Sequence, residues 1–230
     1  MYLKILRFVI GVLLIPICIA ATRTVWLLAR ALQPHSASAM PIAVWGLLGG
    51  FAFWLLLFFT VPRPVRTYVL AHELTHALWG FLMGAEVSGL KVSKEKGSVN
   101  VSKNNFVITL APYFFPLYTM LVLAVYYVLS LFWKVQQYDP WWLGLVGFTW
   151  GFHFTFTVTT LLQKQTDVQQ YGYIFSYTLI YCLNVLGIGF WIVGVSPVTL
   201  KQMMKLMGNS TVHVWHLCQR SVEIVIDLWR

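Results

Sequence analysis

Long apolar runs alternate with short polar segments along most of the chain. A helix that crosses a membrane needs about 20 consecutive, mostly apolar residues. By this measure the pattern predicts about six spanning helices, which run from about Ile5 to Thr22, Met40 to Val61, Thr67 to Gly84, Phe106 to Trp133, Pro140 to Leu162 and Tyr171 to Val195. We therefore predict an all-α, multi-pass integral membrane protein, located in a cell membrane.

The two ends of the chain need separate interpretation. The first run has Lys4 and Arg7 at its beginning and so resembles a signal peptide, but the five apolar runs behind it favour a spanning helix. The segment from Thr199 to Arg230 carries Met, Leu, Val and Trp on one side and Lys, Gln and Arg on the other, which is typical of a helix at a membrane surface. We divide the chain into a membrane domain, residues 1–198, and an amphipathic interfacial tail, residues 199–230.

One segment between the third and fourth spans has a different pattern. Val and Ser partly alternate over Glu86–Ser93 and Ser98–Ser102, and Lys94–Gly97 between them is typical of a turn. This pattern predicts a short membrane-associated β-hairpin, with an ordinary polar loop as the alternative.

Composition narrows the class of protein further. The chain is 59% hydrophobic and 10% charged, whereas a soluble domain carries about 25% charged residues. The net charge of +9 comes from basic residues that are spread between the apolar runs, which favours contact with membrane lipid and not with nucleic acid. The three cysteines form no C-x-x-C pair, so a thiolate zinc site is not indicated.

An H-E-x-x-H sequence, His72 to His76, lies near the middle of the third span. Residues four apart share a helix face, so His72 and His76 can hold one metal ion while Glu73 acts on a nearby water. A charged side chain at the centre of a membrane helix costs about 2.5–3.5 kcal/mol, which a bound cation would offset. The alternative is a polar cluster that hydrogen-bonds neighbouring helices. Gly80 and Gly84 continue the same face and predict a groove for another helix.

A third metal ligand must come from another segment, because a catalytic zinc takes three protein ligands. Most of the seven acidic residues lie in the hairpin, beside a proline or in the tail, which leaves Asp167 between the fifth and sixth spans. His153, near the centre of the fifth span, is the rival. Asp167 lies about 21 Å further along a continuous helix, so it reaches the metal only if that helix is broken, shifted or tilted. If Asp167 is the ligand, His153 is a candidate to bind the substrate.

From about Thr67 to Tyr177 the chain resembles the site-2 protease family of intramembrane zinc metalloproteases, in a compact form without a PDZ domain. The resemblance rests on the H-E-x-x-H sequence inside a span, on a β-prone segment after Gly84, on Leu110-Ala111-Pro112 in the next span and on the later Asp167. It implies that Zn²⁺ is held by His72, His76 and Asp167, with Glu73 as the catalytic base.

The resemblance also implies a substrate and a way to bind it. The substrate is a transmembrane protein whose peptide bond is hydrolysed inside the membrane. A hairpin edge would capture the unwound segment by strand addition, with Leu90, Val92, Val99 and Val101 as the candidate residues. One alternative is an inactive homologue that serves as a membrane scaffold. Another is a histidine-box desaturase or hydroxylase that uses His213 and His216, but the chain has only six histidines.

Overall fold

The computed structural model of the chain describes residues 2–32, 42–93 and 96–228. Helices form most of this part of the chain, and two strands form a small sheet. The elements are α1 (Tyr2–Ala31), α2 (Ile42–Thr60), α3 (Val65–Leu82), β1 (Val87–Val92), β2 (Gly97–Val101), α4 (Phe106–Leu110), a 3₁₀ turn (Ala111–Tyr113), α5 (Leu117–Phe132), a second 3₁₀ turn (Gln136–Tyr138), α6 (Asp139–Leu161), α7 (Thr166–Tyr171), α8 (Tyr173–Val195) and α9 (Leu200–Leu228).

Three of the described helices, α1, α2 and α8, are long and apolar enough to cross a membrane. The pair formed by α4 with its 3₁₀ turn and α5 is a fourth candidate if the two helices make one broken span. The third and fifth predicted spans form the helices α3 and α6, but neither is among the candidates found within the described residues. The helical fold is thus confirmed, and six crossings stay a prediction.

The fourth predicted span is broken rather than continuous. The sequence predicts one helix from Phe106 to Trp133, but the two helices that form there meet at an angle of 83°. Pro112 and Pro116 flank the break, and proline has no N–H with which to continue a helix. At the other end, Asn105 caps α4, since its Oδ1 accepts hydrogen bonds from the backbone N–H groups of Val107 and Ile108.

The contacts of the chain divide it into two compact units. One comprises Met1–Pro34 with Val168–Arg230, and the other comprises His35–Asp167. In the first unit α1 and α8 run in the same direction. Cys18 of α1 donates to the carbonyl of Thr178 on α8, and Thr22, one turn further along α1, pairs with the hydroxyl of Tyr181, which also lies further along α8.

The segment predicted as the tail forms one helix, α9, within the described residues of the first unit. Met203, Ser210 and Val214 lie on one face of α9 and are buried. Ser210 accepts a hydrogen bond from Thr24 of α1 at 3.1 Å. Part of the apolar face therefore packs against protein, and the location of α9 at a membrane surface stays a prediction.

The second unit has its core where α2 and α6 pack together. Trp54 and Phe58 of α2 are buried against Phe152 and Phe156 of α6, and Trp54 donates a hydrogen bond to Thr155 at 2.9 Å. Tyr68 stacks on Phe156 with a ring separation of 4.8 Å. This aromatic cluster connects α3 to the two packed helices.

Glycines allow α2 and α6 to approach closely. A Cβ atom on Gly50 would overlap the carbonyl oxygen of Gly144, and one on Gly147 would overlap that of Leu47. The close helix contact of this unit therefore lies at glycines that the sequence analysis did not select.

A two-stranded antiparallel sheet follows α3, and it pairs Val87 with Val101 and Val92 with Gly97. Gly80 of α3 packs against Val87 and Val101, so the predicted groove receives the sheet instead of a helix. Gly84 ends α3 with a positive φ of 69°, a conformation that favours glycine. Lys94 and Glu95 of the predicted turn lie outside the described residues, and membrane association of the sheet stays a prediction.

The α2–α6 contact leads to a stability prediction. We expect Gly50→Ala to lower the free energy of unfolding in lipid nanodiscs by about 1–3 kcal/mol, because the added methyl group overlaps the backbone of α6. Gly49→Ala is the matched control, since a Cβ there meets nothing within 4 Å. Equal unfolding free energies for the two variants would contradict the contact.

Candidate metal centre

Two imidazoles and one carboxylate converge on one point in the second unit. Nε2 of His72 and Nε2 of His76 lie 3.2 Å apart. Oδ2 of Asp167 lies 3.4 Å from the first nitrogen and 3.6 Å from the second. Among the described residues, these three form the group of His, Cys, Asp and Glu side chains with the spacing of a metal site.

The size of this triangle fits a small tetrahedral cation. A zinc ion with bonds of about 2.0–2.2 Å to nitrogen and oxygen requires about 3.3–3.6 Å between neighbouring donor atoms in a tetrahedron. The three observed separations are 3.2, 3.4 and 3.6 Å. The side chains therefore need little movement to accept such an ion.

Each of the three ligands is also held by a partner outside the triangle. Nδ1 of His76 donates to the carbonyl oxygen of Ile108 at 2.9 Å, and Nδ1 of His72 lies 3.4 Å from the Tyr68 hydroxyl. The Tyr113 hydroxyl donates to Oδ2 of Asp167 at 3.1 Å. Metal-binding histidines and carboxylates commonly have such outer partners, which fix their orientation and tautomer.

The break after α4 supplies the partner of His76. In a continuous helix the carbonyl of Ile108 would accept from the nitrogen four residues later, but that residue is Pro112, which has no N–H. The carbonyl is free to accept from His76 instead. Tyr113 of the same break is fully buried, and its ring edge contacts the ring of His72. The broken span therefore orients the site.

A second break carries Asp167 to the histidines. Helix α6 ends at Leu161, and the short helix α7 begins at Thr166. Asp167 thus does not extend along the axis of α6, and the 21 Å separation of a continuous helix does not arise. This is the interruption that the sequence analysis required for Asp167 to reach His72 and His76.

The electrostatics of the triangle favour a cation. Because a carbonyl can only accept, Nδ1 of His76 carries the ring hydrogen, and a neutral His76 directs the lone pair of Nε2 into the triangle. Burial raises the pKa of the Asp167 carboxyl, but the hydrogen bonds that His72 and His76 donate when their Nε2 atoms carry a proton outweigh burial and hold that pKa below its usual range. Asp167 is therefore anionic at neutral pH, and a metal ion or a proton on an imidazole can balance its charge.

Glu73 lies next to His72 on α3, is buried, and packs against the first residue of β2. A Cβ atom on Gly97 would lie 2.5 Å from Cγ and 2.8 Å from Oε1 of Glu73, and 2.7 Å from Val69. Only a glycine leaves space for the glutamate in this position. The sheet therefore forms one wall around Glu73.

His153 is not part of the triangle. It is buried on α6, and its Nε2 has no hydrogen-bond partner. It lines a small cavity together with His72, Thr75 and Pro112. The structure thus brings His72, His76 and Asp167 together, and His153 lies outside this group, in the lining of a cavity that His72 also lines.

The four candidate substrate-binding residues lie in the sheet. Leu90 on β1 is exposed, whereas Val92 on β1 and Val99 and Val101 on β2 are half-buried. Val101 packs on Gly80 of α3. The side chain most available to another molecule is thus that of Leu90, and β1 is the more exposed strand.

Sequence reasoning missed Tyr68, Tyr113 and Gly97. Tyr68 precedes His72 by four residues and therefore shares its helix face, which was a usable signal. Tyr113 and Gly97 reach the site through contacts between distant segments, for which the sequence gives no local pattern.

No protein-family model, curated protein or solved structure matches this chain.

Proposed function

We propose that this chain is an intramembrane zinc metalloprotease that hydrolyses peptide bonds of membrane-embedded protein substrates. The observation that carries the proposal is the triangle of His72, His76 and Asp167, with donor atoms 3.2–3.6 Å apart and a buried glutamate next to the first histidine. Two histidines and one carboxylate are a ligand set of catalytic zinc sites, which keep a fourth position open.

Bound zinc supplies a Lewis acid that polarises the scissile carbonyl and makes water a better nucleophile at neutral pH. Glu73 is the catalytic base, since it accepts a proton from the attacking water and returns it to the leaving amine. Three outer partners keep the proposed ligands oriented, namely the Tyr68 hydroxyl beside His72, the Tyr113 hydroxyl on Asp167 and the Ile108 carbonyl on His76. Ligands held in place by fixed partners lose little freedom when the ion binds.

We further propose that the chain crosses a cell membrane six times, with α3 and α6 as the two additional crossings. Ionisable residues are tolerated at membrane depth where they face a protein interior or a cavity, and Glu73 is buried against Gly97 and Val69. In this arrangement the metalloprotease core covers about residues 67–177. The centre then lies among helices and not in a soluble domain.

The substrate must be extended before it is cut, because a helix hides its carbonyls in internal hydrogen bonds. Strand β1 is paired with β2 on one side and carries the exposed Leu90. We propose that an unwound transmembrane segment adds to the free edge of β1 as a further strand. β2 packs against Glu73 through Gly97, and β1 separates it from the added strand, which would lie about 10 Å from β2.

The first prediction concerns metal content. We expect the purified chain in nanodiscs to bind about one zinc ion, and the double variant His72→Ala/His76→Ala to bind none, as measured by elemental analysis. His213→Ala/His216→Ala is the matched control, because these two histidines are exposed on α9, and it should keep the zinc. Absence of zinc from the wild-type chain after incubation with the ion would contradict the proposal.

The same measurement separates the two candidates for the third ligand. Asp167→Ala should reduce zinc affinity strongly, since it removes the carboxylate that completes the triangle. His153→Ala should retain the ion. The reverse result would make His153 the ligand.

Glu73→Gln separates metal binding from catalysis. We expect it to keep the zinc and to lose at least about 100-fold in kcat on a library of fluorogenic transmembrane peptides, because the amide cannot accept the proton. Cleavage by this variant at the wild-type rate would show that Glu73 is not the base. A wild-type chain that holds zinc and cuts no peptide of the library would favour the membrane scaffold instead.

Gly97→Ala tests the wall around Glu73. The added methyl group overlaps Glu73 and Val69, so we expect the zinc to remain and kcat to fall by about tenfold or more through misplacement of the base. Gly187→Ala is the control, since a Cβ there meets nothing within 4 Å. Equal kcat values for the two variants would refute the proposed contact between β2 and the catalytic base.

A further inference from the structure

A cavity of about 370 Å³ lies in the first unit, outside the candidate metal centre. Its walls are the beginning of α1, the last residues of α7 and the beginning of α8. A Cβ atom on Gly11 would lie 2.7 Å from the backbone nitrogen of Phe175, so α1 and α8 touch at this point. The residues of α1 that line the cavity, Lys4, Arg7 and Phe8, all precede Gly11. The cavity therefore lies toward the start of α1 from the contact between the two helices.

This position corresponds to the headgroup layer of a membrane. Helices α1 and α8 run in the same direction, and both are long and apolar enough to cross a membrane, so their first residues lie at the same end of the two spans. Helix α1 has 30 residues and is about 45 Å long, which is the thickness of a bilayer with its headgroups. Lys4 and Arg7 lie within about 8 Å of its start. We therefore expect the cavity to lie at the depth of the lipid phosphates.

Two cations line the cavity, and neither has an acidic partner. Lys4 and Arg7 are three residues apart, a spacing that places them on one face of α1. The Lys4 side chain is exposed, and that of Arg7 is half-buried. Within the described part of the chain, neither forms a salt bridge with a carboxylate. Two positive charges at one cavity, without a counter-charge from the protein, favour an anionic ligand.

The guanidinium of Arg7 is held in place by the protein and retains donors for a ligand. Its Nη1 donates to the carbonyl oxygen of Gln170 at 3.1 Å, and its Cζ lies 4.5 Å from the centre of the Tyr171 ring, a cation–π contact. A guanidinium has five N–H donors, so most of them stay available. Its planar shape matches two oxygens of a phosphate. A side chain that is already oriented loses little freedom when a ligand binds.

The other walls favour a lipid over a free ion. Phe8 and Ile174 are apolar side chains that are 54% and 39% exposed, and both line the cavity. A free phosphate ion leaves them in contact with water, whereas acyl chains cover them. The volume of about 370 Å³ lies in the range of small-molecule sites, about 300–1,000 Å³. It is sufficient for a phosphorylated glycerol headgroup.

We propose that this cavity binds the headgroup of one anionic phospholipid. The phosphate accepts hydrogen bonds from the Arg7 guanidinium and the Lys4 ammonium group, and the acyl chains extend along Phe8 and Ile174. The lipid contacts both α1 and α8 and thereby stabilises their pairing. The site lies in the first unit and uses none of the proposed zinc ligands, so it does not depend on the protease proposal.

Native mass spectrometry of the full chain tests the site, after release from nanodiscs that contain equal amounts of phosphatidylglycerol and phosphatidylcholine. We expect one phosphatidylglycerol to stay bound to the wild-type chain. In Lys4→Gln/Arg7→Gln the bound fraction should fall at least about tenfold, because charge-assisted hydrogen bonds are lost. Lys201→Gln/Lys205→Gln is the matched control, since it removes two exposed charges from α9 that do not line the cavity, and it should keep the lipid.

Two results of this comparison overturn the proposal. Equal loss of phosphatidylglycerol in the two double variants shows a response to net charge alone. Equal retention of phosphatidylcholine by the wild-type chain shows that the phosphate charge is not recognised. Lys4→Gln alone separates lipid binding from misfolding, because the exposed Lys4 forms no hydrogen bond or ion pair within the described residues. It should lower the bound fraction by about threefold, and an unchanged fraction contradicts the contact with Lys4.

Ile174→Trp tests the cavity without a change of charge. The larger side chain fills the space beside Arg7, so we expect the lipid to be lost as in the double variant. Ile5→Trp is the matched control, because Ile5 is 54% exposed near the start of α1 and does not line the cavity. Equal lipid retention in the two tryptophan variants would refute the cavity as the binding site.

Inorganic phosphate separates a lipid from a soluble ligand of the same charge. A large molar excess of phosphate, added to the wild-type chain before release, should leave phosphatidylglycerol bound, because the ion cannot cover Phe8 and Ile174. Displacement of the lipid by phosphate would overturn the lipid assignment and identify the cavity as a site for a free phosphate group.

Discussion

The convergence of His72, His76 and Asp167 on one point is the constraint on which the second unit depends. Their Nε2 and Oδ2 atoms lie 3.2–3.6 Å apart, yet they come from two helices that are far apart in the sequence. One segment must be a regular helix so that the two imidazoles share a face, and the other must interrupt a helix so that the carboxylate turns back. Regular and broken helices are therefore equally necessary to this site.

Interactions within one element were the ones that the sequence predicted well. The pairing of His72 with His76 follows from helical spacing alone. Asp167 lies on another element, and the scarcity of acidic residues made it only the first choice for the third ligand, with His153 as the rival. The contribution of Tyr113 and the Gly97 contact with Glu73 did not follow, since each depends on packing between segments. Periodicity describes one helix face at a time, whereas an outer partner is set by how two elements meet.

The same division applies to the fold. Apolar runs predicted the positions of α2, α3, α6 and α8 to within a few residues, because hydrophobicity over about 20 residues is a strong signal. The break between α4 and α5 falls within one predicted span, since two prolines do not by themselves specify an 83° change of direction. Small residues at a spacing of four identified a close approach at Gly80, but not whether a helix or a strand would fill it.

The break between α4 and α5 and the candidate metal centre are linked by one hydrogen bond. Backbone carbonyls freed by a helix break at membrane depth are costly unless protein groups pair with them. Pro112 removes the N–H that would bond to the Ile108 carbonyl, and His76 supplies a replacement at 2.9 Å. That hydrogen bond in turn fixes the hydrogen of His76 on Nδ1 and leaves Nε2 free to bind a cation. The Ile108 carbonyl left unpaired by the break and the imidazole of His76 therefore satisfy each other by one hydrogen bond. This explains how a largely apolar chain can accommodate both polar groups.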